Sequence, residues 1–270
     1  MIKLAVCGAA GRMGRRILSL ASAQKDVFQI AGAVDVVQNP LQGQDISSFT
    51  DCVDTGVKLV DSLEKIIDNI DVVIDFSSPK CTIACAELCS KTKTALVVGT
   101  TGVTADQVAE LEKLATDNPI VFAPNMSVGV NLLFGIVSQV ASILDDEYDV
   151  EIVEAHHRFK KDSPSGTAKR IAEIIAEARG VDLDKDGVYG RKGIIGERKK
   201  GEIGVHAVRM GNVVGDHTIS FSNLAERFEL THKAESRDVF AFGSLTAAKF
   251  IAGKDKGLYD MQDVLGLKNK

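Results

Sequence analysis

Gly8-Ala9-Ala10-Gly11-Arg12-Met13-Gly14 restricts the fold of this chain more than any other stretch. It follows directly on Ile2-Lys3-Leu4-Ala5-Val6-Cys7, a short apolar run that begins almost at the first residue. Ile17, Leu18, Leu20 and Ala21 then recur at helical spacing, and a second apolar run from Phe28 to Val34 ends at Asp35. Strand, glycine-rich turn, helix and strand make a βαβ unit, and a parallel sheet needs such a crossover. Each part of the turn suits a dinucleotide. Gly8 permits the tight turn, Gly11 lets backbone approach a pyrophosphate, and Gly14 lets the helix pack close to the sheet. Asp35 stands 21 residues beyond Gly14, where a carboxylate can accept hydrogen bonds from the adenosine ribose. The glycine spacing is GxxGxxG rather than GxGxxG, so its placement between strand and helix carries the reading.

The alternation continues. A short helix is expected over 62–69, a buried strand over 71–76, and a helix opened by Pro79. Further strands are expected over 94–98 and 120–123, with a helix over 103–116 between them. This rhythm predicts a Rossmann-type, doubly wound parallel sheet in an α/β chain, with its ligand at the C-terminal strand ends. Gly8 to Gly14, Asp35, Phe76-Ser77, Gly99-Thr100-Thr101-Gly102 and Ala123-Pro124-Asn125 all follow strands and should line that edge.

After Asn125 the pattern changes. A helix from about Asn131 to Leu144 precedes a strand through Val150, Ile152 and Val153. Residues 181–201 read as a mobile loop with a solvated charge run, Lys192, Arg198, Lys199 and Lys200. Segments 203–210, 215–222 and 227–231 alternate apolar and polar residues, predicting antiparallel sheet with turns at Gly211-Asn212 and Leu224-Ala225. This makes a second α+β domain with a mixed or antiparallel sheet, whose half-exposed face suggests oligomerisation. The apolar series Val239, Phe240, Phe242, Leu245, Ala248 and Phe250 returns to helix and is stopped by Gly253. Two domains are therefore expected: residues 1–126 with 236–270 for the dinucleotide, and residues 127–235 for substrate and subunit contacts.

Between the second domain's first strand and the helix marked by Ala168, Ile171, Ala172, Ile174, Ile175 and Ala178 lies Glu154-Ala155-His156-His157-Arg158-Phe159-Lys160-Lys161-Asp162-Ser163-Pro164-Ser165-Gly166-Thr167. Free N–H groups at a helix start attract anions, and neighbouring cations strengthen the attraction. In a chain of net charge -5, two adjacent histidines and three cations here are selective placement. They suit a small carboxylate substrate with a proton donor at hand. The alternative is a solvated basic turn capped by Ser165 or Thr167.

A pI near 5.6 offers no basic excess for nucleic acid or a membrane surface. No apolar run approaches the roughly 20 residues that span a bilayer, and the opening residues lack a signal peptide's zones, so a cytoplasmic protein is expected. The 5 cysteines are odd in number and contain no CxxC pair, and Cys81, Cys85 and Cys89 read as buried small residues on one helix face, with no metal site.

Taken together, Glu154 to Lys160, Ser165-Gly166-Thr167, Gly8 to Gly14, Gly99 to Gly102, Pro124-Asn125-Met126-Ser127-Val128-Gly129-Val130-Asn131 and Asp260-Met261-Gln262-Asp263-Val264-Leu265 resemble the dihydrodipicolinate (4-hydroxy-tetrahydrodipicolinate) reductase family of the diaminopimelate route to lysine. The resemblance covers essentially the whole chain. It implies a homotetramer that reduces a cyclic imine dicarboxylate with NADH or NADPH. His156 would be the acid/base residue and Lys160 the proton donor. His157, Ser165, Gly166, Thr167 and Arg237 would hold substrate. The cofactor would meet Gly8, Ala9, Ala10, Gly11, Arg12, Met13, Asp35, Gly99, Thr100, Thr101, Ala123, Pro124, Asn125 and Met126. Such chemistry needs a proton where hydride addition leaves electron density, and imidazole or ammonium can supply it.

The chain departs from the resemblance at one place. Where the family often has an arginine after the ribose-binding acid, this chain has Val36 and Val37. NADH is therefore expected to be preferred, with NADPH used less well or through Arg12 or Lys3. Two alternatives fit the same residues. One is another two-domain NAD(P)-dependent oxidoreductase of amino-acid metabolism, such as a semialdehyde dehydrogenase, which needs a catalytic cysteine. The other is a non-catalytic NADH-sensing protein, which has no use for the histidine-lysine corner.

Overall fold

The computed structural model describes residues 1–53 and 55–268, and its backbone contacts divide the chain into two units. The first comprises Met1–Val128 and Asp238–Lys270, the second Gly129–Arg237.

In the first unit β1 (Ile2–Cys7) leads through the glycine turn into α1 (Arg12–Ser22) and β2 (Phe28–Val34). There follow β3 (Leu59–Val60), β4 (Val72–Asp75), α2 (Pro79–Thr92), β5 (Ala95–Val98), α3 (Ala105–Ala115) and β6 (Pro119–Phe122). The central strands are buried on both faces, Leu4, Val6, Val73, Ile74, Leu96 and Val97 being fully covered, as parallel strands under helices must be. Each such Val or Leu contributes about 1.5–3 kcal/mol of burial. Ser78 caps α2 with Pro79 in its first turn. Thr104 and Gln107 form a capping box for α3. Residues 62–69, expected as one helix, are instead two 3-10 turns, Leu63–Lys65 and Ile67–Asn69. The Ser62 hydroxyl accepts from Glu64 N–H, and only Leu63 and Ile67 are buried, too short an apolar stripe to hold α-helix.

The second unit takes the chain through α4 (Val128–Ile143), β7 (Asp149–His156), α5 (Gly166–Arg179), α6 (Leu183–Asp186), β8 (Gly187–Val188), β9 (Ile203–Arg209), β10 (Gly215–Ser222) and β11 (Arg227–Ala234). Its strand order is β11-β10-β7-β9-β8. β9 is not the hairpin partner of β10 that local alternation predicts. It runs parallel to β7, which lies between them, while β10 pairs antiparallel with both β7 and β11. Val150 and Ile152 are fully buried, which gives β7 the central place. Residues 181–201 are more than a loop, since they contain α6 and β8. Their charge run is also partly tied down. Arg198 is 19% exposed, donating to Val150 O, Glu202 O and Glu151, while Arg191 pairs with Glu151 and Glu202.

The chain then returns to the first unit with α7 (Asp238–Ile251), β12 (Gly257–Tyr259) and α8 (Met261–Val264). The sheet order there is β12-β6-β5-β4-β1-β2-β3, every pairing parallel. The short edge strands β3 and β12 were not expected. Two or three residues carry too little periodicity to read.

Candidate active site

Because the first sheet is parallel throughout, the turns after β1, β2, β4, β5 and β6 share one edge. At Gly8, φ is +75° and an added Cβ would lie 2.4 Å from Phe76 O. At Gly14 it would lie 2.1 Å from Gly8 O, so only glycine lets α1 approach. Gly11 precedes α1 without a side-chain cap, and the first turn carries no acid. The N–H groups of Arg12, Met13 and Gly14 have no partner among the described residues, the first helical bond being Arg15 N–H to Gly11 O. These donors and the cradle kept by the glycines fit a pyrophosphate.

Asp35 closes the turn from the next strand, its carboxylate accepting from Ala10 N–H and Val36 N–H, both at 2.9 Å. Val36 and Val37 beside it are exposed. Ala9, Gly99 and Ala123 give their N–H groups to Val34 O, Asp75 O and Val98 O, which leaves those donors unavailable to a ligand. Thr101 and Pro124 are exposed, Asn125 partly so, and Met126 is buried. Arg12 is exposed at the head of α1. Lys3, the other cation considered for a 2′-phosphate, is at the wrong edge. It lies near the start of β1, its N–H on Asp71 and its ammonium toward Asn69, about 13 Å of strand from Cys7.

Asp75 was missed by sequence reading. Its fully buried carboxylate accepts from the hydroxyls of Ser77 (2.5 Å), Thr82 (2.5 Å) and Thr100 (2.8 Å), and Thr100 Oγ1 accepts from Ser77 N–H. Burial raises its pKa and these donors oppose the rise. The carboxylate thereby ties the β4 turn to the β5 turn, with the Phe76 ring against Gly99, where a Cβ would lie 2.2 Å from it.

The cysteines also differ from expectation. Cys85 and Cys89 are buried but Cys81 is exposed. The thiols of Cys7 and Cys85 titrate well above the ordinary range, Cys7 through its hydrogen bond with Cys85 and burial, Cys85 through Cys89 and burial against the opposing bond with Cys7. Such thiols are poor nucleophiles.

In the second unit, β7 ends at His156 and α5 begins after Ser165. Four polar side chains occupy inward positions at one end of this sheet: Glu154 and His156 of β7, Arg209 of β9 and His217 of β10. His156 Nδ1 lies 2.5 Å from Glu154 Oε2. Arg209 donates to both carboxylate oxygens, at 2.7 and 2.8 Å, and Ser165 N–H donates to Oε1 at 3.0 Å. Ser165 therefore does two jobs, since its hydroxyl caps α5 by accepting from Ala168 N–H at 3.1 Å. The same oxygen lies 3.0 Å from His217 Nε2, whose ring meets that of His156 edge-on at 5.3 Å.

Burial alone would raise Glu154, but Arg209, His156 and the Ser165 N–H outweigh it and hold the carboxyl below its ordinary pKa. His156 is lowered by burial first, then by Lys160 and Arg209, against the pull of Glu154. Burial pushes His217 down to about 4, so it is neutral at pH 7.

Lys160 is four-fifths covered and its ammonium pairs with Asp162 at 2.9 Å. His157 is half-buried, with Nδ1 unpartnered. Gly166 is exposed, and beyond its chain neighbours and its own helix backbone nothing among the described residues lies within 4 Å of where its Cβ would stand, so tertiary packing does not demand glycine there. Thr167 is half-buried. Arg237 is exposed between β11 and α7, and no hydrogen bond or ion pair among the described residues ties it to this cluster. Glu154, Arg209 and His217 had one available signal: a charged or titratable residue at the inward phase of an apolar strand must have a partner.

Two family models match the chain, described as dihydrodipicolinate reductase, N-terminus, over residues 2–126 and dihydrodipicolinate reductase, C-terminus, over residues 129–265. The 4-hydroxy-tetrahydrodipicolinate reductase of Geotalea uraniireducens is 48% identical over 99% of this chain and 100% of its own length. That of Trichlorobacter lovleyi is 50% identical with the same coverage. Among solved structures, the dipicolinate-bound dihydrodipicolinate reductase from Paenisporosarcina sp. TG-14 aligns with a TM-score of 0.78 at 27% identity, covering 97% of this chain and 98% of that one. A probable dehydrogenase from Thermotoga maritima aligns with a TM-score of 0.60 at 14% identity, over 98% and 93% of the two chains, and shares the fold alone.

Proposed function

The chain belongs to the dihydrodipicolinate reductase family, and on that premise we propose how its two units divide one reaction. The family reaction is reduction by NAD(P)H in the diaminopimelate route to lysine. 4-Hydroxy-tetrahydrodipicolinate gains one hydride and one proton and loses water to become tetrahydrodipicolinate. Residues 1–126 with 236–270 would hold the dinucleotide, and residues 127–235 the substrate and the subunit contacts. This membership sets aside both the semialdehyde dehydrogenase and the non-catalytic sensor.

NAD(P)H, when bound, supplies the hydride. The unpartnered N–H groups of Arg12 and Met13, above the Gly8-Ala9-Ala10-Gly11 turn, would hold the pyrophosphate, and Asp35 the ribose. Gly99, Thr100 and Thr101 with Ala123, Pro124, Asn125 and Met126 would complete that edge, with Ala9, Gly99 and Ala123 acting through shape because their N–H groups are engaged. The residues that follow Asp35, Val36 and Val37, carry no charge to meet a 2′-phosphate, so NADH would be preferred, and Arg12 at the head of α1 would serve NADPH.

On the second unit, His157 with Ser165, Gly166 and Thr167 at the head of α5 would take a substrate carboxylate, and Arg237 would add a further contact. Lys160 would donate the proton that quenches the electron density left on the ring, and His156 would serve as acid/base residue. The observation that carries this reading is the convergence of a lowered histidine, a mostly covered lysine and an open helix N-terminus on one corner. The uncovered face of the second sheet, with Val153 and Val208 exposed on it, supports a homotetramer, and no described helix is long and apolar enough to cross a membrane, which suits a cytoplasmic enzyme.

The test is loss of nicotinamide absorbance with substrate condensed from pyruvate and aspartate semialdehyde, NADPH in parallel. His156→Ala and Lys160→Ala should each lower kcat by about 10²–10⁴-fold with NADH affinity retained. Wild-type kcat in both would overturn the site assignment. A lower KM for NADPH would overturn the cofactor preference, and a monomer by sedimentation the assembly.

A further inference from the structure

Arg209, Glu154 and His156 form a chain of contacts for which proton transfer by His156 and Lys160 alone gives no reason. We propose that Glu154 is a positioning residue for the reduction, holding His156 as the Nδ1–H tautomer with Nε2 turned out to the substrate, while Arg209 and the Ser165 N–H keep Glu154 in place as a carboxylate. The inference rests on the assignment of His156 as the acid/base residue.

The geometry leaves little freedom. Glu154 is completely buried, and each of its oxygens already has two neighbours. Oε1 accepts from Ser165 N–H and Arg209 Nη2, and Oε2 accepts from Arg209 Nη1 and faces His156 Nδ1 at 2.5 Å. An ionised carboxylate only accepts, so Nδ1 must carry the proton. Among the described residues Nε2 has no hydrogen bond and yet is not one of the buried unpartnered atoms, so it is the ring nitrogen that reaches solvent. Gly215 keeps room on that side, since a Cβ there would stand 3.1 Å from Nε2. The ring can then take or give a proton at Nε2 without turning.

The electrostatics point the same way. Facing His156 are Glu154 on its own strand, Arg209 from β9, Lys160 with its partner Asp162 from the corner, and His217 from β10. Lys160 and Arg209 disfavour the imidazolium, and His217 is neutral, which leaves Glu154 as the group in contact that favours it. A purely structural Arg–Glu pair would be complete with Arg209 and Ser165 and would have no need of the imidazole.

The test is the ¹⁵N spectrum of histidine-labelled protein, with His156 assigned by its loss in His156→Asn, beside the pH profile of kcat. In the wild type Nδ1 should be the protonated nitrogen of the neutral ring. In Glu154→Gln one carbonyl oxygen must serve Arg209 and Ser165, so the amide NH₂ faces Nδ1 and the proton moves to Nε2. Then kcat should fall by about 10²–10⁴-fold, the Kd for NADH should hold, and the limb of the profile due to His156 should move to lower pH as its counter-charge disappears. A wild-type ring protonated at Nε2 overturns the proposal even if the variant does not fold. So does a Glu154→Gln enzyme of wild-type kcat, whichever nitrogen carries its proton. Undiminished kcat in His156→Ala would instead remove the acid/base assignment and leave the tautomer result standing.

Discussion

Arg209→Met tests the buried charge pair on which the site is built. Arg209 is 20% exposed and grips a Glu154 side chain that is 0% exposed, with both nitrogens at hydrogen-bond distance. Methionine keeps most of the aliphatic stem and removes the donors to Glu154, together with those to Val208 O and Asp162 O, so the change separates charge and hydrogen bonding from packing. Removing one partner of a buried pair costs about 3–5 kcal/mol. The lower half of that span applies here because His156 and the Ser165 N–H still serve Glu154. At about 2–4 °C per kcal/mol, Tm should drop by about 6–16 °C at pH 7.

The pH dependence carries the sharper test. In the wild type Glu154 titrates below its unfolded value of about 4.3, so its stabilisation is present above that value and lost as pH falls through the folded one. Without Arg209 the first of the donors that oppose burial is lost and the folded pKa of Glu154 rises, so the variant gains less stability than the wild type as pH rises. Thermal melts by circular dichroism between about pH 4 and 8 should therefore show a gap between the two proteins that widens with pH. A gap that is constant with pH, or absent, would refute the reasoning.

Two further perturbations address the other unit. Gly14→Ala places a Cβ 2.1 Å from Gly8 O and must push α1 outward. It should cost about 1–3 kcal/mol of stability, and NADH affinity by titration calorimetry should weaken by about tenfold or more, with unchanged affinity refuting the close-packing argument. Asp75→Asn offers one acceptor oxygen where three hydroxyls need the carboxylate, and should cost about 1–3 kcal/mol with weakened NADH binding. Because burial raises Asp75, the wild type loses stability from this group as pH rises through its folded pKa. Thermal melts should thus show the deficit of Asp75→Asn shrinking as pH rises, and a deficit that grows would count against it.

The edge shared by the turns of the first sheet was legible because it depends on order and direction alone. Once β1, β4, β5 and β6 are read as parallel, their turns must share one edge, whatever the side chains do. Lys3 shows the same rule neglected, since a residue at the start of β1 cannot reach the turn at its end. The corner at His156 and Lys160 was legible through its residue types. Its supporting groups were not. Arg209 and His217 lie 53 and 61 residues beyond His156, and they reach Glu154 only because β7 enters between β9 and β10. Local alternation favoured pairing β9 with β10 directly, which would have kept Arg209 from its carboxylate.

What the sequence determined by itself were features set by nearest neighbours along the chain: the tight turn at Gly8, the close approach at Gly14, the caps at Ser78, Thr104 and Ser165, and the titratable residues of the corner. Tertiary structure alone decided the order of the second sheet, and with it the company of His156. A strand's inward face is written in its residues, but its neighbour is chosen by which pairing buries Val150 and Ile152 most completely, and that choice brings Arg209 to Glu154 and Glu154 to the histidine.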